Sequence, residues 1–154
     1  MARYSTPLVS AAALAVNTAF AGLVGAAASN ARLRRIILGT VAGTGAVSDM
    51  QLVVGINRAT ARGTATALTP GRIDPNSSAP TITGVDSAYT VQPTLAAQDL
   101  VMIPFNAKSG VDLPWEAMEE LWAGNVATAP LVFVNRVNAL PAGTSYVLTI
   151  EHEE

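Results

Sequence analysis

Between Met50 and Asn57 the chain alternates: Met50, Leu52, Val54 and Ile56 fall on one phase, Gln51, Val53, Gly55 and Asn57 on the other. A period of two places successive side chains on opposite faces of a strand, so this segment buries one face only when extended. The same period returns near the end, where Tyr146, Leu148 and Ile150 alternate with Ser145, Val147 and Thr149. Residues 131–137 place Leu131, Phe133 and Val137 on one face and Val132 and Val134 on the other. Residues 32–42 form a β-branched run ending in Gly43-Thr44-Gly45, and the strand after it is expected to pair antiparallel with it. Further extended segments are expected at 64–69, 81–85, 88–91 and 100–105, with Pro104 marking a sheet edge or a strand end. Residues 70–80, with Pro70-Gly71 and Asp74-Pro75-Asn76-Ser77-Ser78, read as a long surface loop.

About eight strands at this spacing, with no βαβ alternation and no long repeat, predict an all-β protein. The expected fold is an antiparallel β-sandwich, jelly-roll-like, with an extended N-terminal arm and at most one short helix. A length of 154 residues supports one such domain, here 32–154, preceded by an arm or first strand over 1–31. Composition agrees: Ala, Val and Thr abound, while Lys occurs once.

Residues 4–31 carry no charge at all. A secretory signal is one candidate, with Arg3 as its basic start and cleavage near Ala28; a membrane span is another by length. Against both stand Pro7, Ser10, Asn17, Thr18, Gly22 and Gly25 and a shortage of Leu and Ile. Leu14, Val16, Thr18 and Phe20 alternate with Ala15, Asn17, Ala19 and Ala21, which favours an extended arm or strand ordered by a neighbouring subunit.

One segment has helical spacing. Asp112 is a possible N-cap, Pro114 sits in the first turn, and Trp115, Met118 and Trp122 fall on one helical face with Glu116, Glu119 and Glu120 opposite. Two readings are open: a plug for the end of the sandwich, or an aromatic-and-acid patch for a partner or a sugar.

The formal charge of −2 conceals an asymmetry. Residues 1–72 sum to +6 and residues 73–154 to −8. The halves either interleave and neutralise each other within one molecule, or present opposite surfaces that guide assembly. The arginines are scattered and have few aromatic companions, so no nucleic-acid partner is expected.

Chemistry-bearing constellations are sparse. Without cysteine there is no thiol nucleophile or thiolate metal site, and His152 is the sole histidine. Glu116 with Glu119 or Glu120, and Glu151 with Glu153, are carboxylate pairs along one segment, whereas glycosidase chemistry needs them across a cleft. The oxygen-rich turns at 74–78 and 86–87 read as solvated turns before calcium loops. The glycines at 39, 43 and 45 precede no Lys, so they do not form a phosphate loop. His152, among acids, reads as a solvated tail residue. No enzyme, cofactor or metal is expected.

The layout resembles that of small β-rich head proteins of tailed bacteriophages. The likeness lies in the alternating strand near the start and the Arg-containing strand leading into a second alternating strand over 32–56. It continues in the Pro/Asp-rich loop 69–75, in Leu113-Pro114-Trp115-Glu116-Ala117-Met118-Glu119-Glu120, and in the acidic last strand Val147-Leu148-Thr149-Ile150-Glu151. The uncharged Ala/Gly start departs from that layout. The resemblance implies a capsid decoration (cement) protein: a homo-oligomer on the virion surface, made in the host cytoplasm, contacting the major capsid protein and copies of itself, with neither nucleic acid nor membrane as partner. Interface candidates are Leu14, Val16 and Phe20 on the first alternating strand, Arg34 and Arg35 on the second, and Trp115 and Trp122. A carbohydrate- or receptor-binding sandwich and a secreted or pilus-like subunit are the alternatives.

Overall fold

The computed structural model describes residues 1–27, 29–43, 47–115, 121–124 and 126–154. These residues form twelve strands and no helix. The strands are β1 (Arg3–Val9), β2 (Thr18–Val24), β3 (Ala31–Ala42), β4 (Gln51–Ala61), β5 (Thr64–Leu68), β6 (Gly71–Arg72), β7 (Gly84–Val91), β8 (Thr94–Asn106), β9 (Val111–Pro114), β10 (Leu121–Ala123), β11 (Leu131–Asn135) and β12 (Thr144–Glu153). All pair antiparallel in two sheets.

The sheet orders define the fold. One sheet runs β9–β3–β12–β1, the other β2–β11–β4–β8. Eight strands in this order, with the chain crossing between sheets at most connections, make the two interlocked Greek keys of a jelly roll. The remaining strands are additions: β10 lies along the same edge of β3 as β9, β6 extends the first sheet beyond β1, and β5 and β7 extend the second beyond β2. Because the connection from β3 crosses the sandwich, β4 does not pair with β3 as its alternation suggested. It lies in the opposite sheet between β11 and β8. Pro104 does lie on an edge strand, β8.

Residues 1–31 are not an arm waiting for a neighbour. They supply β1, paired to β12 over its whole length, and β2, held between β11 and β7. Phe20 and Leu23 are buried in the main core with Leu33, Ile36, Leu52, Ile56, Phe133 and Leu148. The small residues of this stretch let the two sheets and their crossover approach closely: a Cβ on Gly25 would stand 1.9 Å from the Gly124 carbonyl oxygen. The run is thus strand, and among the described residues no helix is long and apolar enough to cross a membrane.

A buried polar hub fixes the β1–β2 crossover. The Tyr146 hydroxyl donates to Asn135 Oδ1 at 2.6 Å, and Asn135 Nδ2 donates to the carbonyls of Leu14, Ala15 and Asn138. The amide thereby adds to the backbone bonds that Ser10, Ala13, Leu14 and Asn17 make in the irregular segment 10–17. The Tyr146 ring stacks on Phe20, centroids 4.6 Å apart.

The helical expectation for 112–122 does not survive at its two ends. Asp112, Leu113 and Pro114 belong to β9, and Leu121 and Trp122 to β10. The exposed edge of β3 offers backbone partners to both pieces, which outweighs the marginal stability of a short helix. Glu116, Met118, Glu119 and Glu120 lie outside the described residues.

Candidate interaction surface

Ion pairs show how the charged halves meet. Arg34 Nε lies 2.5 Å from Glu153, Arg35 is bidentate on Asp112 with Glu151 at 3.7 Å, and Arg62 is bidentate on Asp86. Each pair joins a basic residue of the first half to an acid of the second, so these charges neutralise within one molecule. Asp86 is fully buried, and Arg62 donates two hydrogen bonds to it there. The Arg35 hydrogen bond keeps the exposed Asp112 carboxyl below its ordinary range.

The outer faces of the two sheets differ. On the second sheet, Ala19, Ala59, Val132 and Val134 form a small outer cluster covered by Tyr89 and Leu95. Beside it, Asn57 donates to the carbonyls of Ala96 and Gln98 and to Asp99, which also pairs with Arg136. That face is largely closed by its own side chains, leaving Leu100 and Met102 exposed on its edge strand.

Among the described residues, the outer face of the first sheet is bare. Its rows follow from register: Val9 lies beside Val147, which lies beside Gly39; the next row is Pro7, Thr149, Ile37 and Asp112. Val9 is 60% exposed, Val41 44%, Ile37 41% and Val147 37%. Gly39 sits among them, and a Cβ there would meet nothing within 4 Å. An open depression of about 540 Å³ begins at this point and runs to the 107–112 turn. The charges at the rim, Arg35, Glu151 and Asp112, are paired with one another. Pro7 lies on the stretch of β1 beyond the reach of β6, where its missing N–H leaves no donor on the open edge.

The residues expected to form an interface are placed differently. Phe20 is core and Leu14 is 9% exposed, so neither can reach a partner. Val16 is exposed, in the crossover and away from this face. Arg34 is half-buried against Glu153, at a bulge where β3 gains a residue over β12. Arg35 stands at the rim of the bare face. Trp115, next after β9 along the edge of β3, is half-buried, packs against the main core and donates its backbone N–H to the Arg34 carbonyl. Trp122 is half-buried with the Arg32 guanidinium 4.1 Å from its ring centre, so that π-face is already occupied.

His152 is no solvated tail residue. It is fully buried, stacked on Tyr4 at 5.3 Å, with Nε2 at 3.3 Å from Glu154. Burial pushes its pKa below the ordinary value, and the Glu154 carboxylate opposes that only in part. Of the carboxylates considered for catalysis, Glu151 and Glu153 are engaged by Arg35 and Arg34. Asp74 accepts the Asn76 N–H in an exposed turn.

The bare face was missed because its residues occupy the phase expected to be polar. The signal was present in Ile36-Ile37-Leu38 and Tyr146-Val147-Leu148, runs of three apolar residues in strands that otherwise alternate. A strand apolar on both phases has both faces to cover. No protein-family model, curated protein or solved structure matches the chain.

Proposed function

We propose that the protein is a non-enzymatic virion structural protein of the capsid decoration kind, which binds and stabilises a phage head lattice and associates with the major capsid protein and with copies of itself. The observation that carries this reading is the exposed apolar outer face of the first sheet, with paired charges at its rim, on a molecule whose ionic groups are largely neutralised internally. Flat apolar surface of this kind suits a broad, shallow partner and not a small substrate. The strand-and-loop layout shared with phage head proteins points the same way, and a fold without cysteine suits assembly in a reducing cytoplasm.

The test is compositional and then functional. Mass spectrometry of purified native particles should find the chain in many copies per head, with negative-stain images showing it on the outer surface. Heads lacking it should take up the wild-type protein and reject Val147→Lys, which places a charge in the middle of the face. Absence from purified particles, or equal uptake of the Lys variant, would reject the reading.

A further inference from the structure

We infer that the bare outer face of the first sheet is closed by a second copy of this chain in a two-fold pair. The inference rests on reading that face as an assembly surface and names the partner across it.

Shape is the first reason. Along β3 the outward positions are Ile37, Gly39 and Val41, so a hollow with no side chain lies one step from a knob on either side. A two-fold axis between Ile37 and Gly39 sets each copy's Ile37 over the other's Gly39, the reciprocal match that an isologous interface requires. Val147 and Val9 continue the row beside the hollow and supply the remaining apolar area. Packed sheets lie about 10 Å apart with side chains interdigitated, and a missing side chain beside a large one favours that arrangement.

Charge is the second reason. A face carrying unpaired charge of one sign would repel its own image. Here Arg35, Asp112 and Glu151 are paired at the rim, Lys108 at the end of the depression has Asp49 at 3.9 Å, and among the described residues the rows of Ile37 and Gly39 hold no other charge. Area is the third. Three strands some seven residues long and the four-residue β9, about 4.8 Å apart, make a face of roughly 400 Å², so two copies bury on the order of 800 Å² in total, the size of a weak, transient pair. The pair should therefore be reversible and concentration-dependent.

Sedimentation equilibrium on the purified full chain, from low micromolar to submillimolar concentration, reads the result directly. The wild type should pass from 15.8 kDa to twice that mass. Gly39→Val is the decisive variant. Its side chain enters open space and its backbone is not left-handed, so the monomer should fold with an unchanged circular dichroism spectrum while the hollow is filled. Gly39→Val and Val147→Lys should both stay monomeric over a range where the wild type pairs, a shift of at least tenfold in dissociation constant. A wild type monomeric throughout, or a pair that survives both substitutions, overturns the inference. Head binding is scored separately: a monomeric wild type whose uptake by heads Val147→Lys abolishes refutes the pair and leaves the assembly reading standing. A pair that both variants break while heads still bind them refutes decoration through this face.

Discussion

Phe20→Ala measures whether the uncharged N-terminal stretch is part of the core. Phe20 is 2% exposed and its ring stacks on Tyr146 with an interplanar angle of 22°. Removing a buried phenyl ring from a packed interior costs about 3–5 kcal/mol, combining lost transfer energy with the cavity left behind. A site flanked by two strand-paired sheets cannot collapse freely, which places the cost in the upper part of that interval. Domains of this size have about 5–15 kcal/mol in all, so one substitution should remove about a quarter or more of the stability. At about 2–4 °C per kcal/mol for a chain of this length, the melting temperature should fall by roughly 6–20 °C. Urea unfolding followed by tryptophan emission gives the free energy, and Val16→Ala, exposed in the adjoining crossover, should change it by less than about 0.5 kcal/mol. A Phe20→Ala protein as stable as wild type, or a protein lacking residues 2–20 that keeps a cooperative melt, would show that the stretch is dispensable and refute the placement of β1 and β2.

Three further outcomes follow from buried polar groups. Tyr146→Phe should cost about 1–3 kcal/mol by leaving Asn135 Oδ1 without its donor, and should raise hydrogen exchange in residues 14–17; unchanged exchange there would separate the hub from the crossover. Arg62→Ala should cost on the order of 3 kcal/mol at neutral pH because it strands the fully buried Asp86, and Arg62→Ala with Asp86→Asn should recover part of that loss in a double-mutant cycle. His152 has a folded pKa below its unfolded value near 6.5, so the unfolded chain binds the proton more readily; its contribution is intact above about pH 6.5 and is lost progressively as pH falls below that. Stability measured from pH 8 to 5 should decline for the wild type and decline less for His152→Gln; parallel curves would show that another group titrates.

Much of the fold was legible because a two-residue period carries its own meaning. The alternations at 51–56 and 145–150 are strands with Leu52, Val54, Ile56, Tyr146, Leu148 and Ile150 inside, as their phase required. Spacing of strands and turns was enough to indicate a jelly-roll-like sandwich. The interface was far less legible. Leu14 and Phe20 were chosen for their period, yet that period marks a strand with one buried face and does not reveal whether the covering surface belongs to the same chain.

By itself, then, the sequence determined that the chain is built of strands, that β4 and β12 each have a core phase, and that neither thiolates nor a histidine cluster is available. Local periodicity suffices for this, since each residue's face depends only on its neighbours in the strand. Only the tertiary structure decided which strands pair, that β4 crosses to the opposite sheet, that β1 and β2 are built into the two sheets with Phe20 and Leu23 in the core, and that His152 is buried against Tyr4. It also decided which of two apolar faces remains bare: Tyr89 and Leu95, far along the chain from Ala19 and Val132, cover the second sheet, and among the described residues nothing comparable reaches Val9, Ile37, Gly39 and Val147. The physical reason is range, because covering a face depends on segments tens of residues away that the crossovers of a jelly roll bring together, and no local pattern records where those segments land.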